Sequence, residues 1–124
     1  MVGLAEAASA TVLERKEELA SAITEALYRD RPELLERWGE QGRAKCLQDM
    51  RYNLEHLAPA VALGDAALFA RYVVWLRDML ASRGIPTGDV ADSLRHTRTV
   101  ARQRLPEGEG ALVVEVVEAG LAVL

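Results

Sequence analysis

Apolar positions return at helical spacing along almost the whole chain, with charged residues filling the intervals. Val12, Leu19, Ile23, Ala26 and Leu27 form one such series, which predicts a single amphipathic helix over residues 5–28, ended by Asp30-Arg31-Pro32. Pro32 suits the first turn of a short second helix reaching about Gln41, with Leu34, Leu35 and Trp38 as its apolar contacts. Gly39 and Gly42 should loosen its exit. A third helix over 43–63 carries Leu47, Met50, Leu54, Leu57 and Val61 on one face. Pro59, which cannot donate to the Glu55 carbonyl, is expected to kink or split it.

Gly64-Asp65 reads as a glycine stop followed at once by an N-cap. Phe69, Tyr72, Val73, Leu76 and Leu80 are the stripe of a fourth helix over 66–82, with Arg71, Arg77 and Asp78 facing away. Thr87 or Asp89 can cap a fifth, in which Val90, Leu94, Thr97, Ala101 and Leu105 point inward before Pro106 ends it. The valine-rich segment 111–124 has strand propensity, but Glu115 and Glu118 sit three apart and no second strand-like segment exists to pair with it, so a helix is expected. Its apolar girth suits burial or a partner's surface. The pattern predicts an all-α fold, a helical bundle of five to six helices forming one domain over 1–124.

A length of 124 residues suits one core. A net charge of −4, with arginines interleaved among acidic residues, leaves no basic face and argues against nucleic acid as a partner. Cys46 is the lone cysteine, so no intramolecular disulfide forms, and no Cys/His spacing suits a metal. The first ten residues lack the marks of a secretory signal, and 111–124 is too short and too charged to span a bilayer. A cytoplasmic location without membrane contact is expected.

Cys46, Asp49, Asn53 and His56 fall at i, i+3, i+7 and i+10 of the third helix, with Tyr52 beside them. A soft nucleophile, a carboxylate, an amide and an imidazole next to a core face suit the wall of a ligand pocket. The competing reading is a boundary stripe whose cysteine packs as a small hydrophobe. Catalytic residues are not expected: His56 lies about 15 Å along the helix from Cys46, too far to take its proton. Nor does the chain carry a phosphate loop, a diagnostic carboxylate pair or a His-x-x-x-His motif. Heme is disfavoured, because His56 and His96 are the only axial candidates and few aromatics could sandwich a porphyrin.

The run from Cys46 to Asp65, beginning Cys46-Leu47-Gln48-Asp49 and ending Gly64-Asp65, resembles the chromophore-bearing stretch of phycobiliproteins. Their pattern is Cys-x-Arg-Asp, an apolar helix, then Gly-Asp, and the spacing is matched without a gap. Leu76-Arg77-Asp78 and Gly84-Ile85-Pro86 extend the likeness, which fades beyond about Leu105. The resemblance implies a modified globin fold, a cysteine sulfur that attaches a linear tetrapyrrole (bilin), and an aspartate that hydrogen-bonds the pyrrole nitrogens. Those roles would fall to Cys46 and Asp49. Gln48 stands where the family keeps an arginine for the propionates. The front of the chain is too short for the paired N-terminal helices that build light-harvesting rings, so an antenna subunit is not expected. Segment 28–49, with Arg31-Pro32-Glu33-Leu34 and Gly42-Arg43-Ala44-Lys45-Cys46, is also similar to helical sensory domains that precede cobalamin-binding or signalling domains in non-photosynthetic bacteria.

Two functions stand open at this level. One is a non-enzymatic, phycobiliprotein-like sensory module that holds a bilin, or another elongated apolar ligand with an acidic end, at Cys46, Asp49, Asn53, Tyr52 and His56. The other is a ligand-free interaction module of a bacterial signalling system, forming a homodimer through surface such as 111–124 and meeting a signalling partner domain.

Overall fold

The computed structural model describes residues 2–124 and is helical nearly throughout, with no strand among them. Six helices follow in order: α1 (Leu4–Glu14), α2 (Lys16–Asp30), α3 (Glu33–Leu63), α4 (Ala66–Ser82), α5 (Thr87–Arg104) and α6 (Glu107–Ala122). The all-α class expected from the spacing is the class observed, and it is consistent with the globin-like fold that the resemblance implies. The valine-rich segment is helical because its valines are surrounded by other helices, and that burial outweighs a strand preference worth at most about 1 kcal/mol.

The predicted first helix is two helices. Arg15, at φ −101° and ψ 16°, leaves helical geometry and separates α1 from α2. No glycine or proline marks this break. It lets Val12 and Leu19, one on either side, both reach the core, while Arg15 Nη1 donates to the Arg104 carbonyl at 2.7 Å. The predicted second and third helices are instead joined in α3, which bends at Gly39 (φ 68°, ψ −171°). That conformation is open in practice only to glycine, so the bend is written at this residue. On the short arm before it Leu34 is buried, but Leu35 and Trp38 remain partly exposed.

Pro59 does not split α3; the backbone stays helical to Leu63. Glu55 and Pro59 both lie on the exposed side, where water can hydrate the carbonyl that the proline leaves without a partner. Gly64, at φ 63°, ends the helix as predicted, with the Asp65 amide donating to the Ala60 carbonyl at 2.9 Å. The Asp65 carboxylate then accepts from the Leu68 amide at 3.2 Å and caps α4. At the start of α5 neither Thr87 nor Asp89 is the cap; Pro86 occupies that position, and Asp89 is drawn to Arg31.

The core is organised around α6, which packs against α1, α3, α4 and α5. Val113 and Val117 are fully enclosed, and Gly120 lies so close to α4 that an added Cβ would meet Phe69 at 2.8 Å and Val73 at 2.9 Å. Each enclosed valine contributes about 1.5–3 kcal/mol. The valine face of segment 111–124 is therefore core, while Ala111, Glu115, Glu118, Ala122 and Val123 lie exposed on its outer face. Two smaller apolar clusters flank this centre: Leu27, Tyr28 and Leu34 on one side, Leu76, Leu80 and Val90 on the other. Among the described residues no helix is long and apolar enough to cross a membrane.

Candidate ligand-binding cleft

The three apolar clusters do not close on one another. Between them lies a half-open cleft of about 280 Å³, with Leu27 and Leu34 on one wall, Leu76, Leu80 and Val90 on the other, and α3 as the floor. Trp38 and Ile85 stand at its edges, the first carried there by the bend at Gly39.

Cys46 packs between the main core and the Leu27 cluster. Loss of solvent, and then the Asp49 carboxylate, push its thiol up to about 11, with the Thr24 hydroxyl and the Arg43 guanidinium opposing weakly. The group at neutral pH is a thiol that packs, and the nucleophilic thiolate is rare. Asp49, one turn on, has a side chain only 12% exposed, and its Oδ2 accepts from Arg83 Nη2 at 3.0 Å. Asn53, buried at the inner end, accepts at Oδ1 from the Tyr72 hydroxyl at 2.7 Å while its Nδ2 faces the Met50 sulfur at 3.9 Å. Burial first, then the Asp49 and Glu55 carboxylates, raise the Tyr72 phenol, so it stays a donor.

The fold thus brings Cys46, Asp49 and Asn53 together in the cleft wall. Tyr52 and His56 lie outside it: Tyr52 is 49% exposed, and the exposed His56 stacks on the outer side of Tyr72 with centroids 4.0 Å apart. Helical geometry explains both. Tyr52 is turned about 120° from Cys46, and His56 lies about 10 Å farther along the axis than Asp49. His96 is also remote from the cleft, facing Asp30 at 3.3 Å. Among the described residues no group of three His, Cys, Asp or Glu side chains could hold a metal ion.

Residues from other elements complete the site, and spacing along α3 could not reveal them. Arg83, the C-cap of α4, meets Asp49 from 34 positions away. Lys45 lines the mouth and donates to Gln48 Oε1 at 3.3 Å. Asp89, at the other edge, is held by Arg31, which also reaches Asp92 at 3.2 Å and Glu33 at 2.9 Å. This fork fastens the turn between α2 and α3 to the first turn of α5.

A profile of the family described as "Phycobilisome protein" matches residues 4–121 of this chain. The chain belongs to the phycobilisome protein family. Among curated relatives it is similar to the allophycocyanin alpha subunit of Picosynechococcus sp., 30% identical over 96 residues that make up 73% of this chain and 60% of that protein. The allophycocyanin alpha chain of Thermosynechococcus vestitus is 27% identical over 106 residues, 82% of this chain and 66% of its own length. That of Arthrospira platensis is 29% identical over 106 residues, 82% and 65%. This phycobilisome-family chain thus spans less than two thirds of the length of each of these relatives.

Proposed function

We propose that this chain is a non-enzymatic sensory module that holds a linear tetrapyrrole in the cleft at Cys46 and Asp49. The observation that carries the reading is the meeting of a thiol and a nearly buried carboxylate on successive turns of α3, in an apolar cleft between three hydrophobic clusters. Family membership supports the same ligand. When bound, the conjugated pigment supplies absorption of visible light.

The residues present fit that group. The Asp49 carboxylate can accept from pyrrole N–H groups and balance a protonated pigment. The Cys46 sulfur lies in the wall where a thioether to a vinyl or ethylidene carbon would form, and the leucine walls exclude water. The volume lies just under the roughly 300–1,000 Å³ usual for enclosed small-molecule sites, so an extended ligand would project from the mouth. Sensing draws support from Arg83: it terminates α4, so a ligand that takes Asp49 disturbs a helix end. The test is absorption of protein produced with a bilin supply, followed by zinc-induced fluorescence of the denatured chain. A visible band that stays with the chain is expected, and a colourless protein that also fails to bind added bilin would sink the reading.

A second reading, a ligand-free module that self-associates or meets a signalling partner, has one observation in its favour: Trp75 is 57% exposed beside Tyr72. Its surface would be α4, since Val116 and Val117 of α6 are enclosed. Trp75→Glu would then shift sedimentation toward monomer, and a wild type monomeric at every concentration removes this reading.

A further inference from the structure

We propose that Arg83 determines specificity in the cleft by exchanging partners: it releases Asp49 to an N–H donor of the ligand and takes a ligand carboxylate in return. The inference rests on the tetrapyrrole reading above and names the chemistry that the cleft selects within it.

The starting point is that both charged groups face a mainly apolar space and hold each other by one contact, Nη2 to Oδ2 at 3.0 Å. A guanidinium offers five N–H donors and a carboxylate about four acceptor sites, so each has capacity left over. Among the described residues the Arg83 side chain makes no other hydrogen bond or ion pair, and nothing else donates to Asp49. Each partner neutralises the other yet is held by little else.

Ligand binding changes that balance. A donor that takes Asp49 Oδ2, the oxygen that Arg83 holds, displaces Arg83, and the guanidinium cannot shed its proton. Left beside Leu80 and Ile85, the guanidinium, its side chain 32% exposed, would lose its only ion pair among the described residues, and that loss opposes binding. A carboxylate on the same ligand removes that penalty and can engage the planar fork through two N–H groups. A ligand with donors alone strands Arg83; one with carboxylates alone meets Asp49 as a like charge. The molecule favoured carries both, with donors near its centre and acids at its edge.

The other charged groups at the cleft do not supply this function. Gln48 is uncharged and exposed. Lys45 is a point charge without a planar fork and already donates to Gln48. Asp89 is held by Arg31 on the far edge. Arg83 also stands at the C-terminal end of α4, where the helix dipole favours a cation whichever acid it holds. That lowers the cost of the exchange.

The experiment is absorption titration of the full chain with biliverdin and, separately, with its dimethyl ester, which keeps the pyrrole nitrogens and removes the acids. Wild type should bind the ester about tenfold more weakly than the acid. Arg83→Gln should bind both alike, and Arg83→Lys should restore part of the preference, which controls for damage to the fold. An acid preference that persists undiminished in Arg83→Gln, or a wild type indifferent to esterification, overturns the exchange while leaving the tetrapyrrole reading in place. Failure of wild type to bind either compound overturns both.

Discussion

The Tyr72 hydroxyl crosses from α4 to donate to Asn53 Oδ1 on α3 at 2.7 Å, directly behind the inner end of the cleft. Asn53 is 3% exposed, so this bond answers a buried acceptor that water cannot reach. It fixes the spacing of the two helices whose apolar faces form the floor and one wall.

Tyr72→Phe removes the donor and leaves Asn53 Oδ1 orphaned. The expected loss is about 1–3 kcal/mol of stability, the usual cost of a buried unsatisfied group. Urea unfolding followed by circular dichroism measures it. A change of only a few tenths would mean that Asn53 finds another donor.

Cys46 should react slowly while folded. Raising the thiol from 9.0 to about 11 makes the thiolate about a hundredfold rarer at neutral pH, so iodoacetamide should label native protein far more slowly than urea-unfolded protein. Covalent pigment loading should rise about tenfold per pH unit above neutrality for the same reason, and Cys46→Ala should abolish it while non-covalent colour survives. Equal labelling of both states would contradict the burial of the thiol.

The same thiol links stability to alkaline pH. The fold favours its protonated form, so the unfolded chain loses the proton first, near 9, and the native state loses relative stability from there until about 11. The Cys46 share is roughly 2–3 kcal/mol across that window. Tyr28 and Tyr72, both raised, add losses of the same sign at higher pH. Urea midpoints at pH 8 and 10.5 should therefore differ less in Cys46→Ala than in wild type, and identical differences would remove Cys46 from the account.

Gly39→Ala tests the bend that places Leu34 and Trp38 at the cleft. At φ 68° and ψ −171° a Cβ is strained even though nothing crowds it, so a cost of about 1–3 kcal/mol is expected. The short arm should move, and Trp38 fluorescence should report the change. An unaltered stability would show that the arm relaxes without strain.

The helices of this chain were legible where burial follows period: Phe69, Val73, Leu76 and Leu80 face inward as their spacing requires. Punctuation was legible where residue chemistry is specific, as at Gly64-Asp65. The break at Arg15 was not, because it is imposed by what Val12 and Leu19 must reach and not by any local preference. Pro59 does not end the helix for the opposite reason: its local penalty is discharged into solvent. In the cleft, a shared helical face found Cys46, Asp49 and Asn53 but carried no information about axial extent, which excludes His56. Arg83 was invisible because its relation to Asp49 exists only after α3 and α4 pack.

The central place of α6 bears on how the chain comes off the ribosome. Among the six helices it is the last to be synthesised, yet it is the one that covers Phe69 and Val73 and meets α1. At about 5–20 residues per second, the completed α1 to α5 spend roughly half a second to three seconds with that groove open before the valines that fill it are synthesised. During that interval the nascent chain is a half-built bundle with apolar surface exposed, and its yield in the cell depends on what shields it until Val113 and Val117 arrive.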